Sequence, residues 1–307
     1  MAWTFDAPTG TYKNHALSTE IRRQAISDTQ FMKFLRAEPG YGKQKGESVT
    51  ITRILKLPLA TRVGEADRLP SGRPAIQTKQ VAVSQWGFKI PITEFEKNLT
   101  YFDIMNPFQA MLRDQISLTM DKMGADAMKL TQIKYQPTTS GGTFSTNGVA
   151  AGVATRNGGV QDLRRIHDYL YATLKCPKFK NGKYVGIVSN RFARGLKNDP
   201  EYKDWQVFHT EQPFISGMLR SVEGFDLYET NHFDAMLDLV GTSTVTGEAV
   251  FFGADAAGLV RIADPEIRAG IPEELGTFRE VGWVGTIEAF LTWEQATLSR
   301  VVHVTST

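Results

Sequence analysis

The residues that most often carry chemistry are scattered in this sequence and form no recognisable site. None of the five histidines has a second histidine at the HxH, HxxH or HExxH spacing that brings two imidazoles to one metal. They are His15, His167, His209, His232 and His303. Because Cys176 is the only cysteine, an intramolecular disulfide and a zinc site built of several cysteines are excluded. We therefore predict no metal site and no cofactor.

The remaining candidate nucleophile and carboxylates favour structural roles. Cys176 becomes reactive only where the fold brings a base to it, so a buried and inert thiol is the favoured interpretation. The glycine-rich run at residues 40–46 lacks the spacing of a phosphate-binding loop, and no GxSxG elbow occurs. Thr93, Glu94 and Glu96 match a helix capping box better than an acid/base pair. We predict no catalytic residue, and an enzyme that uses Cys176 or scattered carboxylates stays an alternative.

Charge is divided unevenly along the 307 residues. Residues 1–91 carry 14 Lys and Arg against 7 Asp and Glu, whereas residues 92–307 carry 21 against 26. Such an asymmetry fits weak contact with nucleic acid, or the basic part of one copy lying on the acidic part of another. Solvated charge without a partner is the alternative. No stretch approaches the roughly 20 apolar residues of a membrane span, so we expect a cytoplasmic product with no membrane partner.

The first ninety residues predict an arm followed by a long hairpin. Residues 1–47 show only a short helical pattern at Thr19–Leu35, which polar runs interrupt and Pro39 and the following glycines break, so they are interpreted as an arm with little core of its own. Apolar residues then alternate along Val49–Leu59 and again along Val81–Ile92, which predicts two strands. The segment Thr61–Lys79 between them is basic and poor in apolar residues, and it contains Arg62, Arg68 and Arg73. A lone two-stranded ribbon is marginal in water, so either this chain or another copy must cover it.

The rest of the chain mixes helices and strands. A helix is predicted from Asn106, which caps Pro107, to about Lys134, because apolar residues recur at spacings of three and four. A Gly-, Thr- and Ser-rich connection covers residues 136–161, and mixed α/β structure follows. Residues 281–304 predict long terminal strands that are split near Glu294. The predicted class is α+β.

This order of segments resembles the major capsid proteins of tailed phages, the Hong Kong 97 type. Within that type, the sequence is most similar to the family of the podophage N4 major capsid protein. The residues that carry the likeness are Val81–Thr93 leading into Asn106–Lys134, Lys183–Val188 before Arg191, Gly217–Thr230, Val250–Ala256 and Val281–Trp283.

The resemblance implies an N-arm (1–47), an E-loop hairpin (48–92), an axial domain (160–275) and a peripheral domain (93–159 and 276–307). The peripheral domain includes a spine helix at about 106–134. The resemblance also implies a virion protein that is made and assembled in the cytoplasm of a bacterial host. Hexamers and pentamers of the chain would form an icosahedral shell around double-stranded DNA.

Several partners are implied by the same resemblance. They are other copies of the chain, a scaffolding protein and a portal during assembly, a decoration protein, and packaged DNA through weak non-specific contact. In this fold the hairpin lies over an adjacent subunit, which makes Arg62, Arg68 and Arg73 candidates for contacts between subunits. An encapsulin-type nanocompartment shell, which shares the fold, is the alternative function.

Overall fold

Two β-sheets and one long helix make up the core of the computed structural model. It describes residues 24–38, 48–65, 68–99, 105–203, 221–237, 247–271 and 277–306. Four α-helices lie in these ranges: α1 (Glu94–Leu99), α2 (Met105–Lys129), α3 (Val160–Asp168), which continues as a π-helical turn at Tyr169–Thr173, and α4 (Asn190–Asn198).

Seven strands form the larger sheet, in the order β6-β5-β13-β10-β7-β9-β8. They are β5 (Lys134–Gln136), β6 (Thr143–Ser145), β7 (Tyr184–Ser189), β8 (Ser221–Val222), β9 (Phe225–Thr230), β10 (Gly247–Phe252) and β13 (Val301–Ser306). Every residue of the two central strands β7 and β10 is buried, as expected for strands covered on both faces. Helices α3 and α4 bury Leu163, Ile166 and Phe192 against this sheet and form the largest apolar cluster.

The smaller sheet has four strands in the order β1-β11-β12-β4. They are β1 (Arg36–Ala37), β4 (Ser84–Thr93), β11 (Ala257–Ala269) and β12 (Phe278–Leu291). Helix α2 lies across one face, where Leu112 packs with Ile92, Val281 and Trp283. The indole of Trp283 also donates a hydrogen bond to Gln115 Oε1 at 3.2 Å.

Helix α2 ends earlier than its apolar pattern predicts. It stops at Lys129, not near Lys134, and Leu130 is 78% exposed. Ile133 and Tyr135 are fully buried because the chain turns there into the larger sheet, where β5 pairs with β13. No helix within the described ranges has the length and apolar character needed to cross a bilayer.

The hairpin is built differently from the predicted one. Strand β2 (Ser48–Ile54) pairs with β3 (Ile76–Ala82), so the second strand begins within the predicted loop and the first ends before Leu59. The alternating run Val81–Ile92 changes partners at Val83, and the part beyond that residue is β4, which pairs with β12. The two strands β2 and β3 are called the ribbon below, and residues 55–75 between them are called its tip.

Part of the predicted arm belongs to the core. Phe31 is fully buried beside helix α2, and Phe34 packs edge-on against Phe252 and Tyr228. Residues Arg36 and Ala37 then pair in parallel with β11. The interpretation of an arm with little core is therefore wrong for residues 31–37, while residues 1–23 and 39–47 lie outside the described residues.

Candidate subunit interface

The base of the ribbon packs on the chain's own smaller sheet. Val49 and Val81 face each other across the ribbon and are 2% and 6% exposed. They form one apolar cluster with Val260 of β11 and Phe290 of β12. Burial of this kind stabilises by roughly 25 cal/mol for each Å² of apolar surface removed from water. The base is therefore part of the subunit and does not depend on a neighbour.

Further from the base, polar contacts hold the face of the ribbon that is turned toward the smaller sheet. Lys79 Nζ donates to the Leu291 carbonyl oxygen at 3.0 Å and forms an ion pair with Glu294. Arg53 lies 5.6 Å from the centre of the Trp293 ring and is 8% exposed. Its Nε and Nη2 atoms have no hydrogen-bond partner within the described part of the chain, and burial lowers the pKa of the guanidinium. Arg53 is the outermost buried residue of the ribbon.

Beyond Arg53 the described residues of the segment are all at least partly exposed. None of the described residues of the tip belongs to a helix or strand, and none is buried. Leu57, Leu59 and Leu69 expose 48%, 83% and 81% of their surface. Exposed leucines clustered in one segment mark an interaction surface more often than isolated ones do.

The three predicted contact residues lie on this tip. Arg62, Arg68 and Arg73 are all exposed, and none forms an ion pair with a described residue. The structure therefore places them in the same irregular segment as the exposed leucines. Their assignment to contacts between subunits stays a prediction.

Cys176 is poorly placed for nucleophilic chemistry. It is 6% exposed, and burial raises the pKa of its thiol to about 12, so the thiolate is scarce at neutral pH. His167 is half-buried between the rings of Tyr171, Tyr184 and Phe225. Among the described residues, no three His, Cys, Asp or Glu side chains are grouped so as to hold a metal ion.

Two buried polar clusters were not predicted from the sequence. Glu248 forms an ion pair with Lys129 at 2.6 Å and lies 3.3 Å from His303 Nε2, while Lys134 Nζ lies 3.1 Å from His303 Nδ1. Although burial opposes ionisation, His303 and Lys129 together lower the pKa of Glu248 to about 2, and burial lowers the pKa of His303. These groups fasten the end of α2 to β10 and β13.

The second cluster joins the arm to helix α2. Asp121 is fully buried, accepts a hydrogen bond from the backbone N–H of Met32, and lies 3.2 Å from His232 Nδ1. No sequence signal identifies either cluster, because most of their contacts join residues between 55 and 169 positions apart, and Lys129 and Lys134 are separated by the end of helix α2. Both clusters connect elements within the subunit, and their side chains are buried or partly buried.

Comparisons with known proteins identify the fold. The sequence matches no family model and no curated protein. The capsid structure of cyanophage Pam1 matches with a TM-score of 0.77 and 14% identity, covering 98% of both chains. The capsid of cyanophage P-SCSP1u gives 0.70 and 10%, covering 96% of this chain and 93% of that one. The head of Helicobacter pylori bacteriophage KHP40 gives 0.70 and 11%, covering 98% of both. The predicted class is confirmed: the chain has the α+β fold of phage capsid proteins.

Proposed function

We propose that this chain is the major capsid protein of a tailed double-stranded DNA bacteriophage. The observation that carries the proposal is the match to the Pam1 capsid, which extends along 98% of both chains with a TM-score of 0.77. The exposed, unsupported tip agrees with it, since a subunit that functions alone gains nothing from a solvated apolar segment. The protein acts by self-association, without catalysis of its own.

The finer description follows the resemblance in sequence. Hexamers and pentamers of the chain form an icosahedral shell around the genome, and the location is the virion. Residues 1–47 act as the N-arm, the ribbon with its tip acts as the E-loop, and α2 acts as the spine helix. The sequence resembles the podophage N4 family. The chain is also divided into peripheral and axial domains in this proposal. Two strand pairs, β11 with β12 and β10 with β13, cross the boundaries between these domains.

The tip is the proposed contact between subunits. It lies over a neighbouring copy, buries its leucines there, and places Arg62, Arg68 and Arg73 against acidic side chains of the later part of that copy. Charge pairs at the rim of an interface act mainly on orientation and association rate, and salt weakens them. A scaffolding protein, a portal, a decoration protein and weakly bound DNA are the further proposed partners, with assembly in the host cytoplasm.

An encapsulin-type shell is the second candidate. The structures reported above all come from phage capsids or heads, so the observations favour the phage shell. Imaging of purified particles separates the two functions, because an encapsulin encloses a protein cargo whereas a phage head packages nucleic acid.

Replacement of the tip tests the proposal. Since the Leu55 backbone N–H donates to the Ala75 carbonyl oxygen at 2.9 Å, an Asn-Gly turn in place of residues 56–74 closes the ribbon without strain. We expect a folded monomer with an unchanged melting temperature, because none of the tip residues that the structure describes is buried. We also expect it to form no particles by size-exclusion chromatography and negative-stain imaging, with scaffolding protein supplied.

The full-length chain under the same conditions is the control. Normal particles from the shortened chain would contradict the role of the tip. A full-length chain that remained monomeric with its scaffolding protein would overturn the capsid function itself. Loss of folding on shortening would show that the tip belongs to the subunit core.

A further inference from the structure

Arg53 has two unpartnered donors on one edge of its guanidinium. The side chain is 8% exposed, and its Nε and Nη2 atoms form no hydrogen bond in the described part of the chain. The N–H bonds of these two atoms run parallel, and together they are the fork that binds both oxygens of a carboxylate. The unpartnered atoms therefore form one complete binding edge.

A third unpartnered donor lies beside this edge. The Nε1 atom of Trp293 is buried and forms no hydrogen bond with a described residue. The guanidinium carbon of Arg53 lies 5.6 Å from the centre of the same ring, which is within the range of a cation–π contact. Buried donors are nearly always hydrogen-bonded in folded proteins, so three of them in two adjacent side chains indicate a common acceptor.

The carboxylates near this ring are engaged by other cations. Glu294 forms an ion pair with Lys79. Asp255 lies 3.2 Å from Arg300, whose guanidinium carbon is 4.9 Å from the ring centre. Burial lowers the pKa of Arg53, while the charge of Glu294 raises it. Three cationic side chains therefore share two carboxylates, which leaves one positive charge to balance.

Access to Arg53 is from the side of the tip. On the same face of the ribbon only one further pair, Leu55 and Ala75, separates it from the rest of the tip. Leu55 is half-buried and Ala75 is exposed. A small ion therefore reaches the fork after a movement of one residue pair, whereas a large ligand would have to separate the ribbon from the smaller sheet.

We propose that Arg53 and Trp293 form a binding site for a small, free carboxylate anion where the ribbon meets the smaller sheet. The fork requires two coplanar oxygens, the single unbalanced charge favours a monoanion, and the burial of the donors limits the ligand to a few atoms. Formate and acetate meet all three requirements. Phosphate is larger and carries more than one negative charge at neutral pH. The site belongs to the single subunit and does not depend on the proposed function.

An anion at this site connects two elements of the fold. Arg53 belongs to β2, whereas Trp293 follows the end of β12. A ligand that binds only the folded chain stabilises it by mass action, so the anion holds the ribbon more firmly on the sheet. The apolar base and Lys79 hold the ribbon when the anion is removed.

Thermal unfolding of the monomer in different sodium salts tests the site. Chloride is the reference, and formate, acetate and phosphate are compared with it at pH 7 and equal ionic strength. For the unmodified chain we expect formate and acetate at roughly 100 mM to raise the melting temperature by about 2 °C more than chloride does. Phosphate should give less than half of that difference.

Substitutions connect this response to the two side chains. Arg53→Met removes the fork, and Arg53→Lys keeps the charge but has no fork, so both should lose the difference between formate and chloride. Trp293→Phe keeps the ring without its donor and should reduce the difference. The matched control Arg73→Met changes an exposed arginine and should keep all of it.

Hydrogen exchange measured by mass spectrometry locates the effect. In the unmodified chain, formate should slow amide exchange roughly threefold in the peptides that contain Arg53 and the opposite residue Gln77, compared with chloride. Peptides of the larger sheet should exchange equally in both salts. In Arg53→Met the two salts should give the same exchange in the ribbon.

An equal response of the unmodified chain and Arg53→Met to formate would overturn the site, because it would show a general effect of the salt. A larger response to phosphate than to formate would reject the carboxylate as the ligand class. If Arg53→Met fails to fold, the exchange of the unmodified chain decides alone, and unchanged exchange in the ribbon peptides rejects the site. None of these results depends on whether the chain assembles.

Discussion

The two ends of the ribbon have similar residues but opposite environments. At the base, Val49 and Val81 are buried on the smaller sheet, whereas Leu59 and Leu69 at the tip are almost fully exposed. The difference arises because β11 and β12 lie under the base and no described residue lies under the tip. An apolar residue therefore belongs to the subunit's core only where its own chain provides a second surface.

The arginines of the ribbon show the same contrast. Arg53 is buried against Trp293 with two nitrogen atoms unpaired, while Arg62, Arg68 and Arg73 are solvated. Leaving buried donors without partners costs free energy, whereas a solvated guanidinium has no such cost. The base thus contributes to folding despite its arginine, whereas the described part of the tip contributes little to it.

The largest expected effect on folding is at the base. Phe290→Ala removes the ring that Val49 and Val81 pack against, and we expect the free energy of unfolding to fall by about 3–5 kcal/mol. The matched change Leu59→Ala at the tip should alter it by less than about 0.5 kcal/mol. Urea unfolding of the two monomers measures both. Equal losses would show that the tip packs on its own subunit and would remove the contrast between the two ends.

A smaller effect, with the opposite sign, is expected at Arg53. Arg53→Met keeps most of the aliphatic contact with Trp293 and removes two unpaired buried donors. Since replacing a poorly paired buried charge by an apolar residue is often neutral or favourable, we expect the unfolding free energy to stay equal or to rise by about 1 kcal/mol. The same urea titration applies, with Arg53→Ala as the control that also loses the packing. A loss of more than about 2 kcal/mol in Arg53→Met would show that the guanidinium has a partner.

The smallest effect on folding is expected at the tip arginines. Arg62, Arg68 and Arg73 changed together to Gln should leave the unfolding free energy within about 0.5 kcal/mol, because all three are exposed. Assembly should slow, and its dependence on salt should weaken, because rim charges act on the rate of encounter. Light scattering at low and high salt measures this. An assembly rate that kept its full salt dependence would place the charged contact elsewhere.

The sequence predicts local structure well and strand partners poorly. The alternation of apolar residues along Val81–Ile92 indicates strands correctly, but the period of two continues through the point where the chain changes partners. Nothing at Val83 distinguishes pairing with β2 from pairing with β12, because that choice depends on residues near position 285. The ribbon's true second strand, Ile76–Ala82, contains a run of four polar residues, so the sequence pattern places its first part in the predicted loop.

Non-local packing also explains the errors at α2 and in the arm. The apolar spacing of the helix continues through Leu130 and Ile133. Leu130 is nevertheless exposed, and Ile133 is buried in the apolar cluster of the larger sheet. Phe31 follows the polar run Ser27–Gln30, so the short apolar segment that it begins gives no extended periodicity that would mark it as core. In each case the deciding contact is more than 90 residues away along the chain.

Only the exposed position of the candidate interface is predictable from the sequence. Turn residues and arginines indicate that the tip is an exposed segment, and Arg62, Arg68 and Arg73 are exposed there. The roles of Arg53 and Lys79 are not predictable, since a buried arginine or lysine looks like a solvated one in sequence. Their contacts with Trp293 and Leu291 exist only because the ribbon folds back on the smaller sheet.

In the proposed shell, the smaller sheet bears on how a filled particle carries mechanical load. Its two edge strands are the points where the arm and the ribbon enter, and they are held very differently: β1 pairs over two residues and β4 over ten. A backbone ladder resists pulling better when more hydrogen bonds are loaded together. We therefore expect outward pressure on such a shell to be resisted more firmly at the ribbon edge of the sheet, and the arm edge to yield first.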